Sequence, residues 1–249
     1  MGSRQKGFTL IELMVTIAIM AIMAAIAIPN FAEWVAKRRV ASVAEKVASQ
    51  IRFARAEAAR LNKPVYLCPV LIKTDGKADK YCNQKDYAGS GYAVWADSPE
   101  YDQEFNGGEK AGKPVDESLR TIVMNKSDKQ VKVRYQIKNV GFDGKKIAKE
   151  EEAKILAFFP DGSIKRYSVK SSGKMDIGYP VSGFTKFTFT DNEAKDKETR
   201  ERRAVTFLVS GGQVSFCVNG DSRPACKYDV DLTDAICKKD KKDKYYGGC

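Results

Sequence analysis

The residues that could carry chemistry in this chain are six cysteines and scattered carboxylates, because the sequence contains no histidine. Without an imidazole base, a Ser-His-Asp or Cys-His nucleophile cannot be built, and histidine-ligated zinc, HExxH hydrolysis and a histidine pH switch are excluded. The acidic residues Asp97, Glu100, Asp102 and Asp161 do not form a pattern that places two carboxylates at a useful separation. The sequence therefore predicts a protein that is not an enzyme and that uses no cofactor or metal.

The cysteines are predicted to form disulfides. They are Cys68, Cys82, Cys217, Cys226, Cys237 and Cys249. Metal binding is disfavoured because the sequence has no CxxC pair and no histidine to complete a site. Sequence alone cannot pair six cysteines, but neighbour spacing favours Cys68–Cys82, with Cys217–Cys226 and Cys237–Cys249 less secure. A bridge that closes a loop of about 15 residues stabilises the fold by roughly 3 kcal/mol in the chain-entropy model.

One carboxylate, Glu12, lies inside an apolar run over residues 8–28 (FTLIELMVTIAIMAIMAAIAI). A helix of this length spans roughly 30 Å, which is enough to cross the hydrocarbon core of a bilayer. The alternative is a cleaved secretory signal, but the run is too long and no small-x-small cleavage site precedes a mature start. Arg4 and Lys6 precede the run, so the positive-inside rule places the N-terminus in the cytoplasm. The rest of the chain then lies outside, where disulfides persist.

Residues 30–62 are predicted to continue as an amphipathic helix. Their apolar positions step alternately by four and three residues, and this narrow seam follows the heptad period. The seam consists of Val40, Ala44, Val47, Ile51, Ala54, Ala58 and Leu61. We expect it to pack on the chain's own domain, with a free coiled coil as the alternative. Pro29 predicts a kink or local melting, and Asn62 followed by Pro64 predicts the end of the helix.

From residue 63 the pattern changes to short β-type runs. Val131, Val133, Tyr135 and Ile137 alternate with polar residues, as a strand with one buried face requires. Charged loops are predicted at 97–118, 143–154 and 191–203, and hairpin turns at 159–163 (FPDGS) and 210–213 (SGGQ). The predicted strands are 65–72, 92–96, 120–124, 131–137, 155–159, 163–169, 184–190, 203–210 and 213–218. Together they indicate an antiparallel β domain.

The segment 6–12 (KGFTLIE) resembles the class III signal of type IV pilins and pseudopilins. In that signal a short basic leader ends in glycine and is followed by an aromatic residue, a glutamate and an unbroken apolar helix. The resemblance implies that a prepilin peptidase cleaves between Gly7 and Phe8 and N-methylates the new amine of Phe8. It also implies that the Glu12 carboxylate pairs with the Phe8 amine of a neighbouring subunit and sets the stagger between helices during assembly.

Residues 49–60 (SQIRFARAEAAR) and 62–65 (NKPV) resemble the GspH/FimT branch of this superfamily, in which a helix of the form ARxEA leads into the first strand. Segments 159–163 and 205–214 fit the hairpins of that branch. The implied fold is α+β and pilin-like, with a long N-terminal helix, part transmembrane and part amphipathic, packed on an antiparallel β-sheet domain. The implied divisions are a leader at 1–7, a transmembrane and filament-core helix at 8–29, its amphipathic continuation at 30–62 and a periplasmic β-rich domain at 63–249.

The resemblance implies a minor pilin of a type IV pilus that joins a priming or tip complex and promotes filament assembly. A minor pseudopilin of type II secretion is the alternative. The implied partners are other minor and major pilins, the prepilin peptidase and the inner-membrane assembly platform. The implied location is the bacterial inner membrane, crossed once with the N-terminus in the cytoplasm and the C-terminal domain in the periplasm, and afterwards the pilus or its tip.

A DNA-binding minor pilin for natural transformation is a further alternative, suggested by the net charge of +11. Some FimT-like members bind DNA through a motif of the form GRxR, but the matching place here, 212–215, reads GQVS. The strongest candidate contact for DNA or another anion is instead the tail, where lysines could contact phosphates and tyrosines could stack on bases. An anionic lipid or a pilus partner explains the same lysines equally well. They are Lys238, Lys239, Lys241, Lys242 and Lys244.

Overall fold

The computed structural model describes residues 7–79, 81–82, 90–98, 105, 115–125, 131–141, 147, 153–169, 175–176, 178–194, 202–218 and 221. Within those residues the chain forms one long helix, α1 (Leu10–Leu61), and eleven strands. The strands are β1 (Val65–Ile72), β2 (Ala78–Asp79), β3 (Gly91–Ala96), β4 (Glu117–Val123), β5 (Val133–Val140), β6 (Ile155–Phe158), β7 (Ile164–Tyr167), β8 (Tyr179–Pro180), β9 (Phe184–Asp191), β10 (Arg203–Val209) and β11 (Val214–Val218).

Helix α1 joins both predicted helical segments without a break. The expected local melting at Pro29 is wrong, because the helix continues through that residue. Asn30, the residue after Pro29, makes a side-chain hydrogen bond to the preceding turn, in which its Nδ2 donates to the Ile26 carbonyl oxygen at 3.1 Å. The helix ends as predicted at Asn62, which adopts the left-handed conformation (φ 51°, ψ 40°) typical of a helix C-terminus.

The strands form two antiparallel sheets. The sequence patterns predicted an antiparallel β domain but not its division into two sheets. The larger sheet has the order β4-β3-β1-β6-β7-β8, with β2 paired to β1, and the smaller has the order β11-β10-β9-β5. Both predicted hairpin turns are present, and each has a glycine at positive φ, Gly162 at 82° and Gly212 at 77°. The two-residue strands β2 and β8 were not predicted, and β4 begins at Glu117, inside the segment expected to be a loop.

The main core lies between α1 and the two sheets. All seam residues from Val40 to Ala58 are buried there, which confirms that the seam packs on the chain's own domain. Leu61, the last seam residue, is partly buried against the same cluster.

A second apolar cluster covers the other face of the larger sheet. In β1, Val65 and Leu67 face the main core, whereas Tyr66 and Cys68 face the second cluster. Both faces of this strand are therefore buried, which explains why its sequence is apolar throughout instead of alternating.

Candidate functional site

The first half of α1 leaves its apolar side chains exposed all around the helix. Met20, for example, is 69% exposed, and Leu10 and Ile28 at either end are similarly open. By length and composition α1 is the one helix among the described residues that is apolar enough to cross a membrane. We call residues 10–34 the exposed half and residues 36–61 the packed half. The exposed half needs apolar surroundings that the described part of the domain does not supply.

The start of α1 carries Glu12, the residue predicted to act in assembly. Thr9 caps the helix, since its Oγ1 accepts a hydrogen bond from the backbone N–H of Glu12 at 3.3 Å. Glu12 lies three residues after this cap, in the first turn, where a negative charge is favoured by the helix dipole. Sequence reasoning missed the role of Thr9, although the Thr-x-x-Glu spacing was a signal for it.

Phe8 and Gly7 precede this cap and are open to the surroundings. Phe8 is largely exposed, and a Cβ added to Gly7 would meet no atom within 4 Å. The chain's own structure therefore does not require glycine at this position, which fits a requirement imposed by another protein. Cleavage between Gly7 and Phe8, methylation of Phe8 and pairing of Glu12 with a neighbour remain predictions.

The packed half is bound to the β domain by polar contacts that the sequence did not reveal. Arg55 Nη1 donates to the Gly212 carbonyl oxygen at 3.1 Å, and Arg52 Nη2 donates to the Val214 carbonyl oxygen at 3.0 Å. Further toward the N-terminus, Thr206 Oγ1 donates to the Ala44 carbonyl oxygen at 2.7 Å. The arginines of the ARxEA-like segment therefore attach α1 to the β10–β11 hairpin.

The same hairpin occupies the place of the GRxR motif. Gly212 has a φ of 77°, which favours glycine, and the guanidinium of Arg55 lies where a Cβ at this position would be. The backbone carbonyls of Gly212 and Val214 at this place therefore bind arginines of α1. The lysine-rich tail, Lys238, Lys239, Lys241, Lys242 and Lys244, lies outside the described residues, and its contact with DNA or another anion stays a prediction.

The Cys68–Cys82 disulfide is present, as the spacing favoured. Both cysteines are buried in the second apolar cluster, and the indole N–H of Trp95 donates to Cys82 Sγ at 3.2 Å. Cys217 is also disulfide-bonded. Cys226, Cys237 and Cys249 lie outside the described residues, so the Cys217–Cys226 and Cys237–Cys249 pairings stay predictions.

Tyr92 of the larger sheet and Tyr135 of the smaller sheet meet at the main core. The rings of Tyr92 and Tyr135 lie 5.1 Å apart between centroids. Burial raises the pKa of Tyr135 to about 12 and raises the pKa of Tyr92 well above its usual value. Both hydroxyls therefore resist ionisation at alkaline pH more than an exposed tyrosine does.

A capped apolar helix that leaves its first half exposed and packs its second half on an antiparallel β domain defines a pilin-like subunit. A model of the prokaryotic N-terminal methylation motif matches residues 2–28. A second model, type II transport protein GspH, matches residues 43–175, which is more than half of the chain. The chain therefore belongs to the GspH family.

Curated relatives match over a short segment. The type IV major fimbrial protein FimA of Dichelobacter nodosus is 56% identical over 43 residues, which cover 17% of this chain and 28% of that protein. A fimbrial protein of Pseudomonas aeruginosa is 49% identical over 45 residues, which cover 18% of this chain and 29% of that protein. The chain thus spans less than a third of the length of these relatives, and their activities as whole proteins do not transfer to it directly.

Among solved structures, the type IV minor pilin FimU of Pseudomonas aeruginosa aligns with 74% of this chain and 98% of its own, at 13% identity and a TM-score of 0.35. A second crystal form of the same protein gives a TM-score of 0.37 at the same identity.

Proposed function

We propose that this protein is a minor pilin of a type IV pilus that joins a priming or tip complex and promotes filament assembly. The observation that carries this proposal is the continuity of α1, which connects the methylation motif at 2–28 to the GspH domain at 43–175. The fimbrial relatives support a pilus as the destination. In keeping with a structural family, the work assigned to the subunit is packing and contact, not catalysis.

The two halves of α1 divide this work. Before assembly the exposed half anchors the subunit in the inner membrane, with the N-terminus in the cytoplasm and the β domain in the periplasm. During assembly the same apolar surface moves into the filament core, where it packs against helices of neighbouring minor and major pilins. Because the exposed half is apolar all around, it can be buried by lipid first and by protein afterwards.

Glu12, the one carboxylate within the apolar run 8–28, sets the register of this exchange. Near the centre of a bilayer a charged side chain costs about 2.5–3.5 kcal/mol, so Glu12 is costly unless it lies near a boundary or finds a cation. We assign that cation to the N-methylated amine of Phe8 in a neighbouring subunit. The pairing would hold two helices at a fixed stagger at the assembly platform.

Processing by the prepilin peptidase is tested with a bulky residue at the cleavage site. Gly7→Phe should leave the fold intact, since a Cβ there meets no atom within 4 Å, but the precursor should remain uncut. Gly211→Phe is the matched control, because Gly211 has equally open surroundings in the β10–β11 hairpin. Immunoblots of membrane fractions give the readout. Normal cleavage of the Gly7→Phe precursor would contradict the assignment.

Recruitment of the subunit into pili is tested by removing the Glu12 carboxylate. A strain that lacks the gene should form fewer pili, and the wild-type gene should restore them, as counted by electron microscopy. Glu12→Ala should insert in the membrane but fail to restore piliation. Glu33→Ala is the control, since Glu33 lies on the same helix beyond the apolar run and pairs with Lys37. Full piliation with Glu12→Ala would overturn the proposed pairing.

A minor pseudopilin of type II secretion is the second candidate, and the description of the matching family as a type II transport protein favours it. Deletion of the gene separates the two roles. Loss of enzyme export with normal twitching motility would establish the secretion role, whereas loss of twitching with normal export would establish the pilus role.

A further inference from the structure

An aromatic and basic cluster lies on α1 just after the apolar run. The rings of Phe31 and Trp34 stack with centroids 5.8 Å apart, and the guanidinium carbon of Arg38 lies 5.6 Å from the Trp34 ring. Phe31 and Trp34 are 64% and 53% exposed. The described part of the domain therefore leaves both rings uncovered. Burial of α1 begins at Ala36, two residues after Trp34.

If the exposed half spans a bilayer, the helix length brings this cluster to the bilayer surface. At 1.5 Å per residue, Phe31 lies about 32 Å and Trp34 about 36 Å along the axis from Leu10. The hydrocarbon core is roughly 30 Å thick, and about 40–45 Å with its headgroups. If Leu10 lies at the cytoplasmic boundary of the core, Phe31 and Trp34 lie in the opposite headgroup region. Tryptophan is enriched at that depth because its ring is apolar and its N–H is polar.

The orientation of Arg38 agrees with this depth. Helical side chains lean toward the N-terminus of the helix, which here means toward the membrane. Arg38 follows that direction to reach the Trp34 ring. Its charge is thereby held at the level where phosphate headgroups lie, while its aliphatic stem covers apolar surface.

The end of the β domain nearest to this cluster also carries basic residues. Arg39 Nη1 lies 3.6 Å from Asp191 Oδ2, so the C-terminal end of β9 lies beside the first packed turn of α1. In the sheet register, Arg134 of β5 and Arg203 of β10 both lie opposite Thr190. Directly opposed residues share a face of the sheet, so the two arginines flank Thr190 on one face.

That face points away from the helix. The next position along the register pairs Val133 with Asp191, and both are buried toward α1. Arg134 and Arg203 therefore lie on the outer face, close to the end that approaches the membrane. Lys132, which is exposed, precedes β5 at the same end. Four acidic residues also lie near this end. Asp191 lies beside Arg39 and Glu33 pairs with Lys37. The other two are Glu193 and Asp221.

We infer that Phe31, Trp34, Arg38 and Arg134 form a collar that binds anionic phospholipid headgroups at the periplasmic surface of the inner membrane. The inference rests on the proposed topology, in which the exposed half spans that membrane. The collar fixes the depth of the helix through its aromatic pair and holds the domain against the bilayer through its arginines. Its lipid contacts must break when the subunit leaves for a filament.

Depth is measured with the full chain, processed at Gly7, reconstituted in vesicles of phosphatidylethanolamine and phosphatidylglycerol. The chain has two tryptophans, and Trp95 is fully buried in the domain. Subtracting the fluorescence of Trp34→Phe from that of the wild type isolates Trp34. Lipids brominated near the glycerol end of the acyl chain should quench Trp34 about twofold more than lipids brominated near its methyl end. Stronger quenching by the deep label, or no quenching by either, would overturn the collar.

Headgroup preference is measured by energy transfer from Trp34 to dansyl-labelled lipids. Transfer to labelled phosphatidylglycerol should exceed transfer to labelled phosphatidylcholine by about two- to fivefold at low salt. The double variant Arg38→Gln/Arg134→Gln should reduce this ratio toward one, whereas Arg60→Gln, at the far end of α1, should preserve it. Equal transfer to both lipids in the wild type would overturn the electrostatic part of the collar.

The outcomes separate this inference from the proposed function. A chain that resists carbonate extraction from vesicles but shows Trp34 in water, with shielding only after purified pilins are added, would assign the cluster to a neighbouring subunit and overturn the collar. A chain that carbonate removes would contradict the membrane span and the collar together. Piliation is not measured in vesicles, so a role in pilus assembly could fail while the collar stands.

Discussion

The two halves of α1 are continuous in backbone but opposite in environment. In the packed half, apolar residues form a seam and nearly all of that seam is buried; Ile51, for example, is 1% exposed. In the exposed half, apolar residues surround the helix and Ile22 is 65% exposed. The difference shows that the distribution of apolar residues around the helix, more than their number, indicates what covers each half.

The polar residues reinforce this division. In the packed half they reach the domain, as Arg52 and Arg55 do at the β10–β11 hairpin. In the exposed half the charged residue within the apolar run is Glu12, at the end farthest from the domain. The packed half is therefore covered by its own chain, whereas the exposed half requires lipid or other subunits to cover it.

The largest effect is expected when the same side chain is truncated in each half. Ile51→Ala leaves a cavity in the main core and should reduce the free energy of unfolding of the domain by about 2–5 kcal/mol. Ile22→Ala should change it by no more than about 0.5 kcal/mol, since Ile22 does not contact the domain core. Guanidinium unfolding in detergent, followed by Trp95 fluorescence in chains that also carry Trp34→Phe, measures both. Equal losses would contradict the division of the helix.

The next effect concerns the second apolar cluster. Replacing both Cys68 and Cys82 by alanine removes a bridge across a sequence separation of 14 residues. The chain-entropy model gives a loss of about 3 kcal/mol for such a loop. Unfolding measured as above should detect this loss, while carbonate extraction should show unchanged membrane anchoring. Release from the membrane would indicate that the halves are not independent.

Much of this architecture could be predicted from periodicity. The seam, the end of the helix at Asn62 and both hairpin turns follow from local sequence. The continuity through Pro29 did not, because proline lowers helix propensity locally but does not determine whether flanking turns hold the helix together. The partition into two sheets was also hidden, because strands such as β1 are buried on both faces and do not reveal which partner they pair with.

The candidate site was less predictable in its polar contacts. Arg52 and Arg55 lie off the apolar seam, and the helical period alone assigns them no partner in the β domain. Their guanidinium groups nevertheless reach backbone carbonyls more than 150 residues away in sequence. Long-range pairs of this kind depend on the final packing, and no local spacing encodes them.

A smaller effect is expected from these arginines. Arg55→Met removes the bond to the Gly212 carbonyl and should reduce the free energy of unfolding by about 1 kcal/mol. Arg60→Met is the matched control, because Arg60 contacts Glu57 on the helix surface, where solvent screening leaves an ion pair little effect on stability. Guanidinium midpoints compare the two variants. A larger loss for Arg60→Met would contradict the clamp between helix and hairpin.

The smallest effect is expected from pH changes within the neutral range, where the free energy of unfolding of the domain should not change, because the loss due to Tyr135 begins only above pH 10.0. Tyr135 has its pKa raised from 10.0 to about 12 by burial, so its protonated form is favoured in the folded state. The resulting stabilisation is fully present below pH 10.0 and is lost as the pH rises toward about 12. Circular dichroism with tyrosinate absorbance should show the domain unfolding in that interval. The exposed half contains no tyrosine, so helix embedded in detergent should persist.

We propose that the exposed half becomes the N-terminus of a mature subunit that leaves the membrane for a filament. Mass spectrometry of the protein in sheared, purified filaments tests this most directly. The chain in these filaments should begin with N-methylated Phe8 and should lack residues 1–7. A filament-associated chain that retains those residues, or begins beyond the apolar run, would contradict it.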